Sequence, residues 1–187
     1  ESASRLEILA ETGFSGVKLH PPICHFSLDV DRDAAFYTTL ERLSLPLLIH
    51  TGVLSGYMHW PLEYYHPLLI DKLAGRHPGI PIIMAHCGGA AFCRDVLAVV
   101  QNHGQAYIDL THSLDPKYAW YVPKSEYELI FNTVGPGRVI FGVDYPWYAP
   151  EEFERDLKIL ESLGISGRDL DRVLSENFLG LLENKPG

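Results

Sequence analysis

Apolar positions along the chain fall into two alternating rhythms. ASRLEILAETG places Leu6, Ile8 and Leu9 at helical spacing and stops at Gly13, as a helix with a C-terminal glycine does. FSGVKLHPP follows as a short strand ended by two prolines. DRDAAFYTTLERL, residues 31–43, returns to the helical period with acidic residues in its first turn, and PLLIHTG is apolar up to His50. WPLEYYHPLLIDKLAG predicts a helix with Pro61 near its start, Gly75 at its end and Pro67 as a kink or restart inside it. PIIMAH is the third strand. GGAAFCRDVLAVVQNHG is a helix with Ala91, Val96, Leu97 and Val100 inward, and QAYIDLTHS is the fourth strand. A helix near residues 124–134 leads to RVIFGVD, and two helices, residues 151–163 and 168–183, flank the turn GISG. Short, continuously apolar strands alternating with helices predict a parallel sheet covered by helices. No linker, low-complexity segment or fixed-period repeat interrupts the alternation, so residues 1–187 read as one domain.

Polar residues concentrate at the carboxyl ends of these strands. Lys18 and His20 close the first, His50 the second, His86 the third, Asp109, Thr111 and His112 the fourth, and Asp144 the fifth. Ligands and catalysis in parallel α/β folds sit at those ends, so the side chains converge on one mouth. A buried imidazole costs free energy unless something satisfies it, and imidazole with carboxylate is a donor set suited to a divalent metal such as zinc. Spacing alone does not decide, because His50 and His86 come from different strands and each could instead be a core histidine bonded to a carbonyl. Asp144 is either a site carboxylate or a turn cap before Tyr-Pro. Lys18 is a site residue or half of a structural ion pair, and His20 lines the pocket or bonds loop backbone. Asp109 and His112 differ in parity, so both cannot face the mouth. Tyr57, His59 and Trp60 after the second strand, with Tyr145 and Trp147 after the fifth, form an apolar wall for a ring substrate or pack on neighbouring helices. Gly88 and Gly89 open a helix where an anion could bind. His66, His77 and His103 fall on helices or at the opposite end of the strands and read as structural.

Composition narrows the partners. The formal charge is −9, with no basic cluster, which argues against a nucleic-acid backbone and for a small-molecule substrate. No apolar run approaches the roughly 18–20 residues of a membrane span. Cys24, Cys87 and Cys93 are odd in number and contain no CxxC pair, so neither a disulfide framework nor a thiolate zinc site is signalled and a reducing, cytoplasmic setting is expected.

Taken in order, GFSGVKLHPP, PLLIHTG, GIPIIMAHCGG, AYIDLT, VIFGVDYPW and SENFLGLL resemble the amidohydrolase-related (amidohydrolase 2) family of metal-dependent TIM-barrel hydrolases. The branch they are most similar to includes aminocarboxymuconate-semialdehyde decarboxylase. The resemblance implies a partial (β/α)8 TIM barrel whose five parallel strands are equivalent to strands 4 to 8 of the family. It implies that His50 and Asp144 ligate a divalent metal, most simply Zn2+ with Mn2+ as the alternative. His86 becomes either the group that polarises the substrate or a ligand to a second ion, and Lys18 the counterpart of the lysine that some two-metal relatives carbamylate. The family's first-strand His-x-His pair, which supplies two further ligands, has no counterpart in these residues, and about three βα units of a barrel of about 250 residues are absent. Open strand edges would invite association, so a homo-oligomer is expected.

The function expected from the resemblance is hydrolysis of an amide, lactone or similar bond, with Asp144 moving the proton of the attacking water and His86 polarising the carbonyl. Two alternatives stand beside it. One is metal-dependent decarboxylation of a small aromatic or unsaturated acid, for which Arg94 is the candidate carboxylate anchor. The other is an inactive fragment or binding module without the first-strand ligands.

Overall fold

The computed structural model describes residues 2–53, 60–147 and 149–183. Its sheet has five parallel strands in sequential order: β1 (Val17–Leu19), β2 (Leu47–His50), β3 (Ile82–Ala85), β4 (Ala106–Asp109) and β5 (Val139–Ile140). Helix α1 (Ser2–Glu11) precedes the sheet, a helical turn α2 (Pro21–Cys24) and α3 (Ala34–Arg42) follow β1, and α4 (Leu68–Arg76), α5 (Gly89–Asn102) and α6 (Lys124–Val134) follow the next three strands. After β5 come α7 (Pro150–Ser162), α8 (Gly167–Asp171) and α9 (Asn177–Glu183). The expected partial barrel is therefore present as an open, curled sheet. No helix among the described residues is long and apolar enough to cross a membrane.

The strands are apolar on both faces because each face has something to cover. Leu47, Ile49, Ile82, Met84, Ala106, Ile108 and Val139 point outward into the main core beneath the helices. The opposite face carries the rung Lys18, Leu48, Ile83, Tyr107, and then Asp109 beside Ile140. There Ile83 and Ile140 pack with Leu181 of α9, so the last helix closes part of the concave side.

Local chemistry explains where elements depart from the sequence pattern. Pro21 and Pro22 do not merely end β1: they open α2, since proline suits the first helical turn, and the His20 side chain caps it. Pro67 acts as a restart, separating a 3-10 turn at Leu62–Tyr64 from α4. RVIFGVD pairs over only two residues because the Phe141 amide donates to the Val173 carbonyl at 2.8 Å and leaves the sheet. Val173 lies in a π-turn, Arg172–Glu176, that joins α8 to α9. Asn177 follows it and donates to the carbonyls of Pro136 (2.7 Å) and Val139 (2.8 Å), fastening the C-terminal helix to β5.

The amino ends of the strands are tied by repeated helix-to-helix bonds. His77, at the C-cap of α4, bonds Glu41 of α3 through Nδ1 at 3.0 Å, and Gly79 N–H donates to the same carboxylate at 2.8 Å. His103, at the C-cap of α5, bonds Asp71 of α4 through Nε2 at 2.7 Å. For Glu41, burial acts to raise the carboxyl pKa, but the bonds from His77 and Gly79 outweigh it and the net shift is downward. The His103 bond likewise lowers Asp71. A depressed folded-state pKa contributes stability above the unfolded value that is lost as pH falls through the folded one. Thermal stability should therefore drop below the ordinary carboxylate values of 4.5 and 3.8, and Glu41→Gln should flatten that acid limb. Melting curves from pH 7 to pH 3 check it, and an unchanged slope in the variant would count against the linkage.

Candidate functional site

The concave face holds a cavity of about 490 Å³, floored by Leu48, Ile83, Phe178 and Leu182 and rimmed at the carboxyl ends by Lys18, His86, Asp109, Thr111 and Asp144. Lys18 on one edge strand reaches Asp144, beyond the other, at 3.4 Å, so the ion pair spans the opening of the curl.

Hydrogen bonding fixes the protonation of three imidazoles. His50 Nε2 lies 3.0 Å from the Gly52 carbonyl, which can only accept, so Nε2 carries the proton and Nδ1 the lone pair. That Nδ1 is buried without a partner among the described residues. Burial, followed by the neighbouring His86 and His20, lowers the His50 pKa to about 2. His86 donates from Nδ1 to the Thr111 carbonyl at 2.9 Å, leaving the lone pair on Nε2, and burial lowers its pKa to about 4. The two rings are 4.8 Å apart at 64°. His20 stacks on His50 at 3.9 Å, but its Nδ1 accepts the Ile23 N–H at 3.3 Å. Burial and then Lys18 lower the His20 pKa to about 4, so this neutral ring presents an N–H at Nε2 rather than a lone pair.

The His86 turn is strained and held from two sides. His86 (φ 60°) and Cys87 (φ 52°) occupy the left-handed region, which costs a non-glycine residue about 1–3 kcal/mol. Asp109 Oδ2 accepts the His86 N–H at 3.2 Å, while its Oδ1 accepts from Thr111 Oγ1 at 2.7 Å and Thr111 N at 3.3 Å. Burial pushes the Asp109 pKa up, against the pull of those bonds. On the other side Thr51 donates to the Ala85 carbonyl and accepts the Gly88 N–H at 3.1 Å. Gly88 N–H is thus committed, which removes one donor from the expected anion site at the start of α5. Gly142 leaves room for the Asp109 arm, since a Cβ there would sit 2.9 Å from Asp109 Oδ1 and closer still to Thr111 Oγ1.

The cavity gathers Lys18, His86 and Asp144, with His50 and His20 stacked beside them, but the aromatic wall is different from the one expected. Tyr145 and Trp147 are 83% and 77% exposed, because the chain turns outward after Asp144 (φ 46°). Trp60 packs on His25, ring centroids 3.9 Å apart, and Tyr57 and His59 lie outside the described residues. Arg94, the candidate carboxylate anchor, makes a two-point bond to Glu126 of α6 (3.0 and 2.8 Å) away from this cavity. Of the fourth-strand pair, Asp109 faces the cavity, and His112 stacks on Tyr118 at 4.1 Å. Two residues carry weight that sequence reasoning missed, Thr51 and Trp120, and Asp109, left open there as one of two candidates for the mouth, braces the His86 turn. Trp120, in the loop after β4, lies flat on His86 at 4.1 Å and edge-on to His50 at 5.7 Å. Period-two parity from Tyr107 would have turned Asp109 inward, whereas no local signal marks Trp120.

The donor chemistry at His50 and His86 fits a divalent ion. Each ring gives one N–H to a backbone carbonyl and keeps the other nitrogen bare, the arrangement that metal-binding histidines adopt. Asp144 is engaged with Lys18, and among the described residues no three His, Cys, Asp or Glu side chains are gathered to hold an ion.

A family model for amidohydrolases matches residues 1–178. The chain belongs to the amidohydrolase family. Solved structures share its fold. An uncharacterised TIM-barrel protein of Bordetella bronchiseptica is 20% identical over 96% of this chain and 60% of its own, with a TM-score of 0.77. The 2,6-dihydroxybenzoate decarboxylase of Rhizobium is 14% identical, covering 97% of this chain and 66% of that one, TM-score 0.68. A dihydroxybenzoic acid decarboxylase of Polaromonas, solved with manganese and the inhibitor 2-nitroresorcinol, is 15% identical over 96% and 64%, TM-score 0.68. This amidohydrolase chain thus spans about 60% of the first of these barrels. No curated relative matches it in sequence.

Proposed function

We propose that this chain carries the carboxyl-terminal side of a metal-dependent hydrolase site for an amide, lactone or similar bond of a small molecule. The observation that carries the reading is the pair of neutral imidazoles with bare nitrogens, His50 Nδ1 and His86 Nε2, beside the Asp144 carboxylate. His50 and His86 would supply two ligands to the ion, and Asp144 would have to leave Lys18 to supply a third, with zinc and manganese as the candidates. Such an ion supplies Lewis acidity toward a carbonyl and acidifies water. Asp144 accepts the proton of the attacking water and returns it to the leaving group, and Lys18 holds that carboxylate at the rim between turnovers. His86, with its lone pair on Nε2, serves as ligand or base; it has no N–H left for the polarising role the family resemblance implied.

One observation supports a second reading. Lys18 is a cation on the rim of a mostly apolar cavity, where it could take a substrate carboxylate, as decarboxylation of a small aromatic acid requires. Two related barrels are decarboxylases by name.

Metal titration tests the shared part of both readings. Calorimetry should show zinc or manganese binding that weakens tenfold or more in His50→Ala, with little change in melting temperature. Equal affinity in wild type and variant, or no binding by either, would remove the metal reading. Product analysis on 2,6-dihydroxybenzoate against a panel of lactones and amides then separates the two chemistries.

A further inference from the structure

We propose that Trp120 is a substrate-recognition residue whose indole N–H donates a hydrogen bond to a carbonyl or carboxylate oxygen of the molecule bound beside His50 and His86. The inference rests on the functional reading above and assigns a part of it that His86 cannot play.

Trp120 Nε1 is buried and has no acceptor among the described residues. A buried donor without a partner costs free energy, and phenylalanine would make the same stack without that cost. The backbone around the ring is shaped to admit it. A Cβ on Gly52 (φ +90°) would lie 2.7 Å from Trp120 Cδ1 and 3.3 Å from Nε1, and one on Gly89 would lie 3.3 Å from Trp120 Cα. The N–H edge of the indole therefore abuts Gly52, whose carbonyl already holds His50 Nε2. The ring stands at 76° to His50 and lies within 18° of parallel to His86. One unpaired donor, Trp120 Nε1, and one unpaired lone pair, His50 Nδ1, are thus buried on neighbouring rings.

The chemistry that fits such a donor is an oxygen that gains negative charge or is already anionic. An N–H in a desolvated position is worth more to that oxygen than to a neutral ligand group, which is how preorganised donors favour charge development. His86 offers an acceptor at Nε2 and so cannot supply that donor, whereas the Trp120 indole stacked on it can.

The test uses 15N-labelled protein and 2,6-dihydroxybenzoate as probe, with and without added manganese or zinc. Trp60, Trp120 and Trp147 give three indole signals, and Trp120→Phe identifies one. The expected result in metal-free or zinc-loaded protein is a downfield shift of the Trp120 indole proton at saturation, together with about tenfold weaker probe binding in Trp120→Phe, the loss of one hydrogen bond. Benzene-1,3-diol, which lacks the carboxylate, should shift that signal less. The proposal is overturned if the probe binds with the Trp120 signal unmoved and equal affinity in Trp120→Phe, which would leave the indole bonded to a structural water. It is equally overturned if neither protein binds the probe. Metal binding that depends on His50 is read separately by calorimetry, so the metal site can stand while the Trp120 assignment falls, or the reverse. Should Trp120→Phe unfold, the wild-type indole shift alone decides.

Discussion

Replacing Asp109 with alanine is expected to destabilise the protein by about 3 kcal/mol and to release the His86 turn. Three donors share this carboxylate: His86 N, Thr111 N and Thr111 Oγ1. Asp109, His86 and Thr111 are all buried, so the lost acceptor is replaced only where water in the cavity can reach it. An unsatisfied buried donor costs about 1–3 kcal/mol, and the left-handed strain at His86 and Cys87 would lose one of its two restraints. The variants are graded by chemistry. Asp109→Asn keeps the shape but presents an N–H2 group toward donors on one side, so its loss should be intermediate. Denaturant melts give the energies. The imidazole nitrogen shifts of His86 give the second readout, because release of the turn frees Nδ1 from the Thr111 carbonyl and mixes the tautomers. A loss within about 0.5 kcal/mol for Asp109→Ala, typical of an unremarkable surface change, would remove Asp109 from the support of the site.

That dependence shows which parts of the site were legible in the chain and which were not. The alternation of short apolar strands with helices was enough to order the sheet, since both periods persist in the sequence and each strand is followed by a chain reversal. His50, His86 and Asp144 were legible because a polar residue at the end of an apolar run has few places to point. The bracing roles of Thr51 and Asp109 were not, because their task is to hold a backbone turn on a neighbouring strand, and the register that brings β3 beside both β2 and β4 is not written in either local stretch. Trp120 depends on a loop folding back over the strand ends, a tertiary event with no periodic signature. Tyr145 and Trp147 failed for the opposite reason. Aromatic composition suggested a wall, but the left-handed Asp144 directs the following residues to solvent. The role proposed for His86 turns on a single bond, since donation to Thr111 leaves the lone pair on Nε2.

Arg138 supplies the contrasting case, a residue with a large expected effect on stability and none on the site. Its guanidinium donates to the Ala106 carbonyl through Nε at 3.0 Å and through Nη2, and reaches the His103 carbonyl at 2.6 Å and that of Val100 at 3.5 Å. Val100 and His103 sit at the carboxyl end of α5, where unpaired carbonyls and the helix dipole both favour a cation. The same group lies over the Tyr107 ring at 5.1 Å. Burial lowers the Arg138 pKa, though a guanidinium remains charged at any pH the protein survives. Arg138→Met fills the space but leaves the carbonyls unpaired, and should cost about 2–3 kcal/mol, the range for hydrogen bonds to a charged group. Arg138→Lys keeps the charge without the fork and should recover only part of that. Because these contacts lie at the amino ends of the strands, the affinity for manganese or zinc and the Trp120 indole shift should match wild type wherever the variant is folded. If lysine restored full stability, the fork geometry would be irrelevant and charge at the end of α5 would suffice. If instead metal affinity fell with stability, the two ends of the sheet would be coupled, and the site could not be treated as independent of the bonds beneath it.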